Sequence, residues 1–257
     1  MTKYTNNINK NNFPHSILII GERGSGKHKI YDNLCNILNF SYAEDITDKI
    51  TKEFLSSEEI QNPVNLIMLN ANLSRLTVRQ QNMLLKLFEE PSPYLYLCLF
   101  AENDADVLDT IKTRSYNIII DKYTRNDLEE LIENDNKNII LNICNTPGQI
   151  ETANRTDIKS LNDMCVNMVK KMKIANYQNA LTISNKINFS DEYDKYDLFL
   201  FIKMLSYELM TEFYNTQAKE FLYAYLELKE LNKRIWLVNN KKQQFERFIS
   251  KYWRVFR

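Results

Sequence analysis

The stretch Ser16–His28 reads S-I-L-I-I-G-E-R-G-S-G-K-H, and its reading decides the fold. A short apolar run, 17–20, gives way to Gly21-x-x-x-x-Gly26-Lys27, the outline of a phosphate-binding P-loop. Three of the chain's four glycines, Gly21, Gly24 and Gly26, fall within these six residues. Glycines let the backbone fold around phosphates, amides at the next helix N-terminus point at them, and the lysine neutralises their charge. The motif then calls for Ser or Thr, whose hydroxyl holds the magnesium ion of a bound nucleotide. Position 28 is His28 instead, and imidazole is a poor ligand for a hard cation that prefers oxygen. Gly21, Gly24, Ser25, Gly26, Lys27 and His28 are therefore candidates for binding ATP or ADP without hydrolysing it. The alternative is a loop whose glycines are kept only for the tight turn.

Outward from the loop, Ile30, Leu34, Ile37 and Leu38 recur at helical spacing over 29–39, so a strand, the loop and a helix follow in order. Residues 57–60 read as a short helical segment ending before Pro63, and 64–69 as a second buried strand. Thr77 and Gln80 form a capping-box pattern for a helix carrying Met83, Leu84, Leu87 and Phe88, stopped by Pro91 and Pro93. Apolar runs at 94–100 and 117–120 read as two more strands, separated by a helix over 106–115. Strands apolar on both faces, alternating with helices, imply a parallel sheet with helices on both sides.

The pattern changes at Tyr123. Thr124 and Asp127 cap a new helix, the chain turns at Pro147-Gly148, and 157–186 and 191–257 are almost continuously helical. Phe201, Leu205 and Leu209, then Leu228, Leu231, Ile235 and Val238, mark stripes that face a helical core. The expected organisation is a P-loop α/β domain over 1–122, a small helical domain over 123–156 and a C-terminal helical domain over 157–257.

The 257 residues carry 33 basic and 33 acidic side chains, so no global charge draws the chain to nucleic acid or an anionic membrane. No apolar run approaches the roughly 18 residues that span a bilayer. The polar, Asn-rich start, 1–12, lacks the features of a secretory signal. Cys35, Cys98, Cys144 and Cys165 are scattered with no C-x-x-C pair, which argues against a zinc site or a disulfide framework. A reduced, cytoplasmic setting is expected.

Phosphoryl transfer also needs a carboxylate on the magnesium. It is expected at the end of the strand beside the P-loop strand, read here as 64–69, which closes on Asn70-Ala71-Asn72. No Asp or Glu occurs anywhere from Ile60 to Phe88, so no shift of register restores it. Two independent metal contacts are missing, and the chain is expected not to hydrolyse ATP by itself.

Two further stretches carry a family resemblance. Gln81-Asn82-Met83-Leu84-Leu85-Lys86-Leu87-Phe88-Glu89-Glu90-Pro91 resembles the N-A-L-L-K-x-L-E-E-P-P segment of clamp-loader AAA+ subunits, and Ile111-Lys112-Thr113-Arg114-Ser115 resembles their I-x-S-R-C segment. Asn145-Thr146-Pro147-Gly148-Gln149 is similar to the G-S-P-G-x turn in the lid of the delta-prime subunit of DNA polymerase III. The resemblance runs by motif from about Phe13 to Gly148 and beyond that by architecture. It implies an AAA+ domain, a helical lid and a helical collar, and it favours a delta-prime-like subunit with degenerate nucleotide motifs over a motor ATPase.

On that resemblance, Arg114 is an arginine finger reaching the ATP site of a neighbouring motor subunit; otherwise it caps its helix or pairs with a carboxylate. A sensor residue would fall on Ala101, and Gln149 lies where motor subunits carry a sensor arginine. The implied partners are a motor ATPase, a clamp-opening subunit, the sliding clamp and primer-template DNA, with no membrane and no required cofactor or metal.

Arg75 and Arg79, near the start of the helix over 78–90, are candidate DNA contacts or simply solvated side chains. The C-terminal stretch sets Lys233, Arg234, Lys241, Lys242, Arg247, Lys251, Arg254 and Arg257 against a single acid, Glu246, with Tyr252, Trp253 and Phe256 interleaved. This reads as a collar helix whose aromatics pack at an oligomer interface, or as a nucleic-acid surface. The competing functions are an independent P-loop ATPase, such as a nucleotide-handling enzyme or helicase loader, and a stand-alone DNA-binding protein.

Overall fold

The computed structural model describes residues 4–89, 91–174, 197–235 and 240–255, with side chains described except at 171–174, 233 and 253–255. It divides into two compact units, Met1–Lys122 and Tyr123–Arg257.

In the first unit the apolar runs become strands β1 (Ser16–Ile20), β3 (Ile67–Asn72), β4 (Leu95–Ala101) and β5 (Tyr116–Ile119), with β2 (Tyr42–Asp45) at one edge. All pair in parallel in the order β2-β3-β4-β1-β5. Helices α1 (Lys27–Leu38), α2 (Lys52–Leu55), α3 (Glu58–Gln61), α4 (Val78–Glu89) and α5 (Asp109–Lys112) connect them. Alternate residues of β1, β3 and β4 feed two cores. Leu18, Ile20, Leu69, Leu97 and Leu99 meet Leu84 and Leu87 of α4 and Ile111 of α5. Ile17, Ile19, Met68, Cys98 and Phe100 meet Ile30 and Leu34 of α1. A strand buried on both faces has to be apolar throughout, and this is why β1 reads as an unbroken run.

Three expectations are corrected here. The strand beside β1 is β4; β3, where the metal carboxylate was sought, lies one strand further out. The second strand begins at Ile67 and not at Val64, which is 89% exposed beyond Pro63, where the chain has not yet entered the sheet. The expected helix over 106–115 is a 3-10 turn, Asp104–Asp106, followed by the single turn of α5.

The second unit contains α6 (Arg125–Glu129), α7 (Lys137–Ile143), α8 (Pro147–Asn154), α9 (Ile158–Ile174), α10 (Leu198–Thr216), α11 (Lys219–Ile235) and α12 (Lys241–Val255). Thr124 and Asp127 form the expected capping box on α6. Pro147 opens a helix where a turn was expected: its missing N–H is an orphan at the first helical position anyway. One apolar core runs from Leu128, Ile140 and Ile150 through Leu161 to Phe201, Leu205, Leu228, Leu231, Ile235 and Phe245, so the 123–156 and 157–257 segments share it. Val238 of the expected stripe, and the expected helix over 175–186, lie outside the described residues.

Candidate nucleotide cradle and arginine site

At the end of β1 the Gly21 N–H donates to the Ala101 carbonyl at 3.0 Å, which ties the loop to the last residue of β4. Gly24 (φ 81°) and Gly26 (φ 93°) adopt the left-handed backbone that side-chain-bearing residues avoid. Gly21 is needed for closeness: a Cβ there would stand 2.7 Å from Ser25 Oγ and 3.1 Å from Ile120 Cβ. Ser25 and Lys27 are both buried. The Lys27 ammonium donates to the Gly21 carbonyl and, at 2.9 Å, to that of Glu22. Burial pushes its pKa down, Glu102 and Glu22 pull it up, and Arg23 adds to the lowering. The loop therefore has the backbone form and the cation of a phosphate cradle.

The metal side is built differently. His28 is exposed, with its ring 4.9 Å from that of Phe100 on β4, and Tyr31 meets Phe100 edge-on at 5.7 Å. Asn70 is buried in β3 and donates through Nδ2 to the Tyr31 hydroxyl at 3.1 Å. Asn72 accepts from the Ser74 N–H at 3.2 Å, and Ala71 is buried. Imidazole, amide and methyl groups at His28, Asn70, Asn72 and Ala71 bring neither the hydroxyl nor the carboxylate that holds magnesium in a P-loop site, and the acid that follows β4, beside β1, is Glu102. Among the described residues no group of three or more His, Cys, Asp or Glu could hold a metal ion. The residues present fit a phosphate chain and do not fit its magnesium.

Arg114 follows α5 on the surface, and its Nη1 donates to the Thr110 carbonyl at 3.1 Å, so the capping contact is present in an exposed side chain. Ser115, next to it, shares a 3.1 Å hydrogen bond with Ser16 at the start of β1. Arg75 pairs with Asp48 at 3.4 Å on the surface, a contact of little energetic weight. Arg79 is exposed in the first turn of α4. In the second unit Gln149 is buried and accepts from the Asn145 N–H at 2.9 Å.

Gln81, the first residue of the motif over 81–91, is a positioning residue that its place in the motif does not reveal. Gln81 is 3% exposed; its Nε2 donates to the carbonyls of Leu73 (3.2 Å) and Asp106 (2.7 Å), and its Oε1 accepts from the Leu108 N–H (3.1 Å). It joins α4 to the residue after β3 and to the connection from the 3-10 turn into α5, the helix that Arg114 follows. Its signal in the sequence is a glutamine on the same stripe as Leu84.

On α12, Tyr252 belongs to the unit's own core and stacks on Phe248 with centroids 5.9 Å apart. It is therefore not available for the oligomer interface expected of it. Lys242 and Arg247 are exposed, as is Lys251, which pairs with Glu227 of α11. Trp253, Phe256, Arg254, Arg257 and Lys233 fall among the side chains not described.

A five-stranded parallel sheet in this order, with a P-loop after β1, defines an AAA+ type of P-loop domain joined to a helical unit. Residues 42–124 match the model of the family described as DNA polymerase III, delta subunit. Together these support a clamp-loader-like AAA+ protein, as the sequence motifs imply. In fold the chain is similar to a DNA polymerase III gamma subunit-related protein from Thermotoga maritima, with 16% identity, 95% of each chain covered and a TM-score of 0.50. The RuvB Holliday junction branch migration motor of the same organism aligns over 78% of this chain and 68% of its own, with 17% identity and a TM-score of 0.45. No curated protein matches the sequence significantly. Among the described residues no helix is long and apolar enough to cross a membrane.

Proposed function

We propose that this chain is a non-catalytic, delta-prime-like clamp-loader subunit that supplies Arg114 to the ATP site of a neighbouring motor subunit. The observation that carries the reading is the split character of the cradle. Lys27 and the left-handed glycines keep the form that receives phosphates, while His28, Asn70, Ala71 and Asn72 bring neither a hydroxyl nor a negatively charged carboxylate to magnesium. Phosphoryl transfer depends on metal charge and positioning, so such a site can hold ATP or ADP but is poorly equipped to turn it over. The exposed Arg114 is suited to act in trans, where an arginine stabilising the transferring phosphoryl group is worth on the order of 10³–10⁵ in rate. The subunit's work is then to help open the sliding clamp and place it on primer-template DNA, in a hetero-oligomer with motor and clamp-opening subunits. Arg75 and Arg79 are its candidate phosphate contacts.

A tagged pull-down at moderate salt, with co-purifying chains identified by mass spectrometry, tests the assembly. Recovery of a P-loop subunit with an intact metal-binding acid is expected. A clean monomer that turns over ATP with magnesium would instead establish the independent ATPase reading.

A further inference from the structure

The sheet delivers an acid to the mouth of the nucleotide cradle. β1 and β4 run side by side with Ile20 opposite Ala101, and the Gly21 N–H donates to the Ala101 carbonyl, so the residue after β4 arrives beside the start of the P-loop. That residue is Glu102, half-buried. Its backbone N–H donates to Ser74 Oγ at 2.8 Å, and Ser74 in turn donates to Asp106 Oδ2 at 2.6 Å, which fixes the chain at this point. Phe100, two residues earlier, meets His28 of α1, and the alternation of strand faces carries Glu102 toward the same side. Its charge reaches the Lys27 ammonium: burial lowers the Lys27 pKa, and Glu102 comes before Glu22 among the groups that hold it up.

The lysine of a P-loop is the group that meets the β- and γ-phosphates of a bound nucleotide. In this chain that ammonium already donates to the carbonyls of Gly21 and Glu22. Two carboxylates, Glu102 and Glu22, and a second cation, Arg23, act on it, so the formal charges of the four groups cancel. In an ordinary P-loop site magnesium offsets the charge of the terminal phosphates, and here neither the hydroxyl nor the carboxylate that holds it follows Lys27 or closes β3. Each phosphate added to the chain then brings negative charge up to a fixed carboxylate, in a partly buried site where like charges repel more strongly than in water. We propose that Glu102 makes the cradle select the shorter, less charged phosphate chain, so that it holds a nucleoside diphosphate in preference to the triphosphate. This rests on the reading that the loop receives a nucleotide.

The test is calorimetric titration of the full chain with ADP and with ATP, in EDTA and again in magnesium. ADP is expected to bind at least about tenfold tighter than ATP in both, the scale of one like-charge contact in a half-buried site. Glu102→Gln, which keeps the size and removes the charge, should narrow the ratio to less than about threefold, chiefly by tightening ATP. A change in the shape of the loop would move both affinities together, so the ratio reports the charge, and an unaltered thermal unfolding curve shows that the variant is folded. Equal affinities in the native chain, or a preference for ADP that persists in Glu102→Gln, would overturn the inference and leave the cradle reading standing. Tightening of ATP by magnesium that Glu102→Gln abolishes would make Glu102 a cation ligand and would overturn it too. Binding of neither nucleotide would overturn the cradle reading and this inference with it.

Discussion

Replacing Gln81 by leucine removes a buried side chain that makes three hydrogen bonds to the backbone. The substitution keeps the volume, removes three hydrogen bonds and strands their backbone partners inside the protein. The partners are not equally harmed. The Leu73 carbonyl also accepts from the Leu76 N–H at 3.0 Å, so it stays satisfied, whereas the Leu108 N–H loses the Gln81 acceptor. A buried donor left unpaired costs about 1–3 kcal/mol, and each neutral bond contributes about 1 kcal/mol net. The expected loss is about 2–4 kcal/mol, or a fall of about 1–2 M in the urea midpoint of the first unit at typical slopes. Hydrogen exchange resolved by mass spectrometry gives the location: protection should fall between Asp104 and Arg114, because Gln81 holds both ends of the connection into α5. A fall below about 0.3 M with protection there unchanged would refute the reasoning, since it would mean water or backbone relaxation replaces the amide.

Lys27→Ala removes a charged donor from two loop carbonyls. It should destabilise the first unit by about 1–2 kcal/mol, the lost bonds being partly offset by the relieved burial of the ammonium, while clamp loading by the assembled complex changes little; a collapse of loading at unchanged stability would mean that the loop uses its nucleotide. Burial lowers the His15 pKa, against hydrogen bonds to the backbone of Ser92 and Leu95 that raise it, so the folded state resists the proton that the unfolded chain takes up near pH 6.5. Stability from this group is complete above that pH and is lost as pH falls through it, and the loss between pH 7.5 and 5.5 should shrink in His15→Asn. Burial pushes the Cys144 thiol up to about 12 and raises Cys98 and Cys165 as well, while Cys35 is only half-buried. In the native chain a thiol reagent should therefore modify Cys35 first and the other three only on unfolding; early labelling of Cys98 would contradict the packing of α1 on the sheet.

What was legible in the sequence follows from how each element is buried. β1 and β4 are covered on both faces and announce themselves as apolar runs, and the α4 and α6 capping boxes are local chemistry, readable from four residues. β2 was not foreseen. It is an edge strand of sequence Y-A-E-D, mostly exposed and paired only with β3, so neither apolar run nor alternation marks it. That β4 lies beside β1 could not be seen either, because parallel strand order is set by crossovers and leaves no local trace. In the site, the residues behind the expectation of a weak magnesium site are readable one by one, His28 after Lys27 and no acid from Ile60 to Phe88. The uses to which the replacements are put are not. Asn70 meeting Tyr31, His28 lying on Phe100 and Tyr4 reaching Asp121 join residues 39, 72 and 117 positions apart, and only the folded sheet brings them together.

The central claim is that this chain activates a neighbour's ATP site and does not turn over ATP itself. Its most direct test is the ATP turnover of the reconstituted complex with Arg114 or with Arg114→Ala, at matched assembly measured by light scattering, beside the purified chain alone. The account predicts no magnesium-dependent turnover by the chain alone, and a loss of at least about tenfold in the complex carrying Arg114→Ala, whose subunits still assemble. Unchanged turnover in that complex, or turnover by the chain alone that Lys27→Ala abolishes, would contradict it.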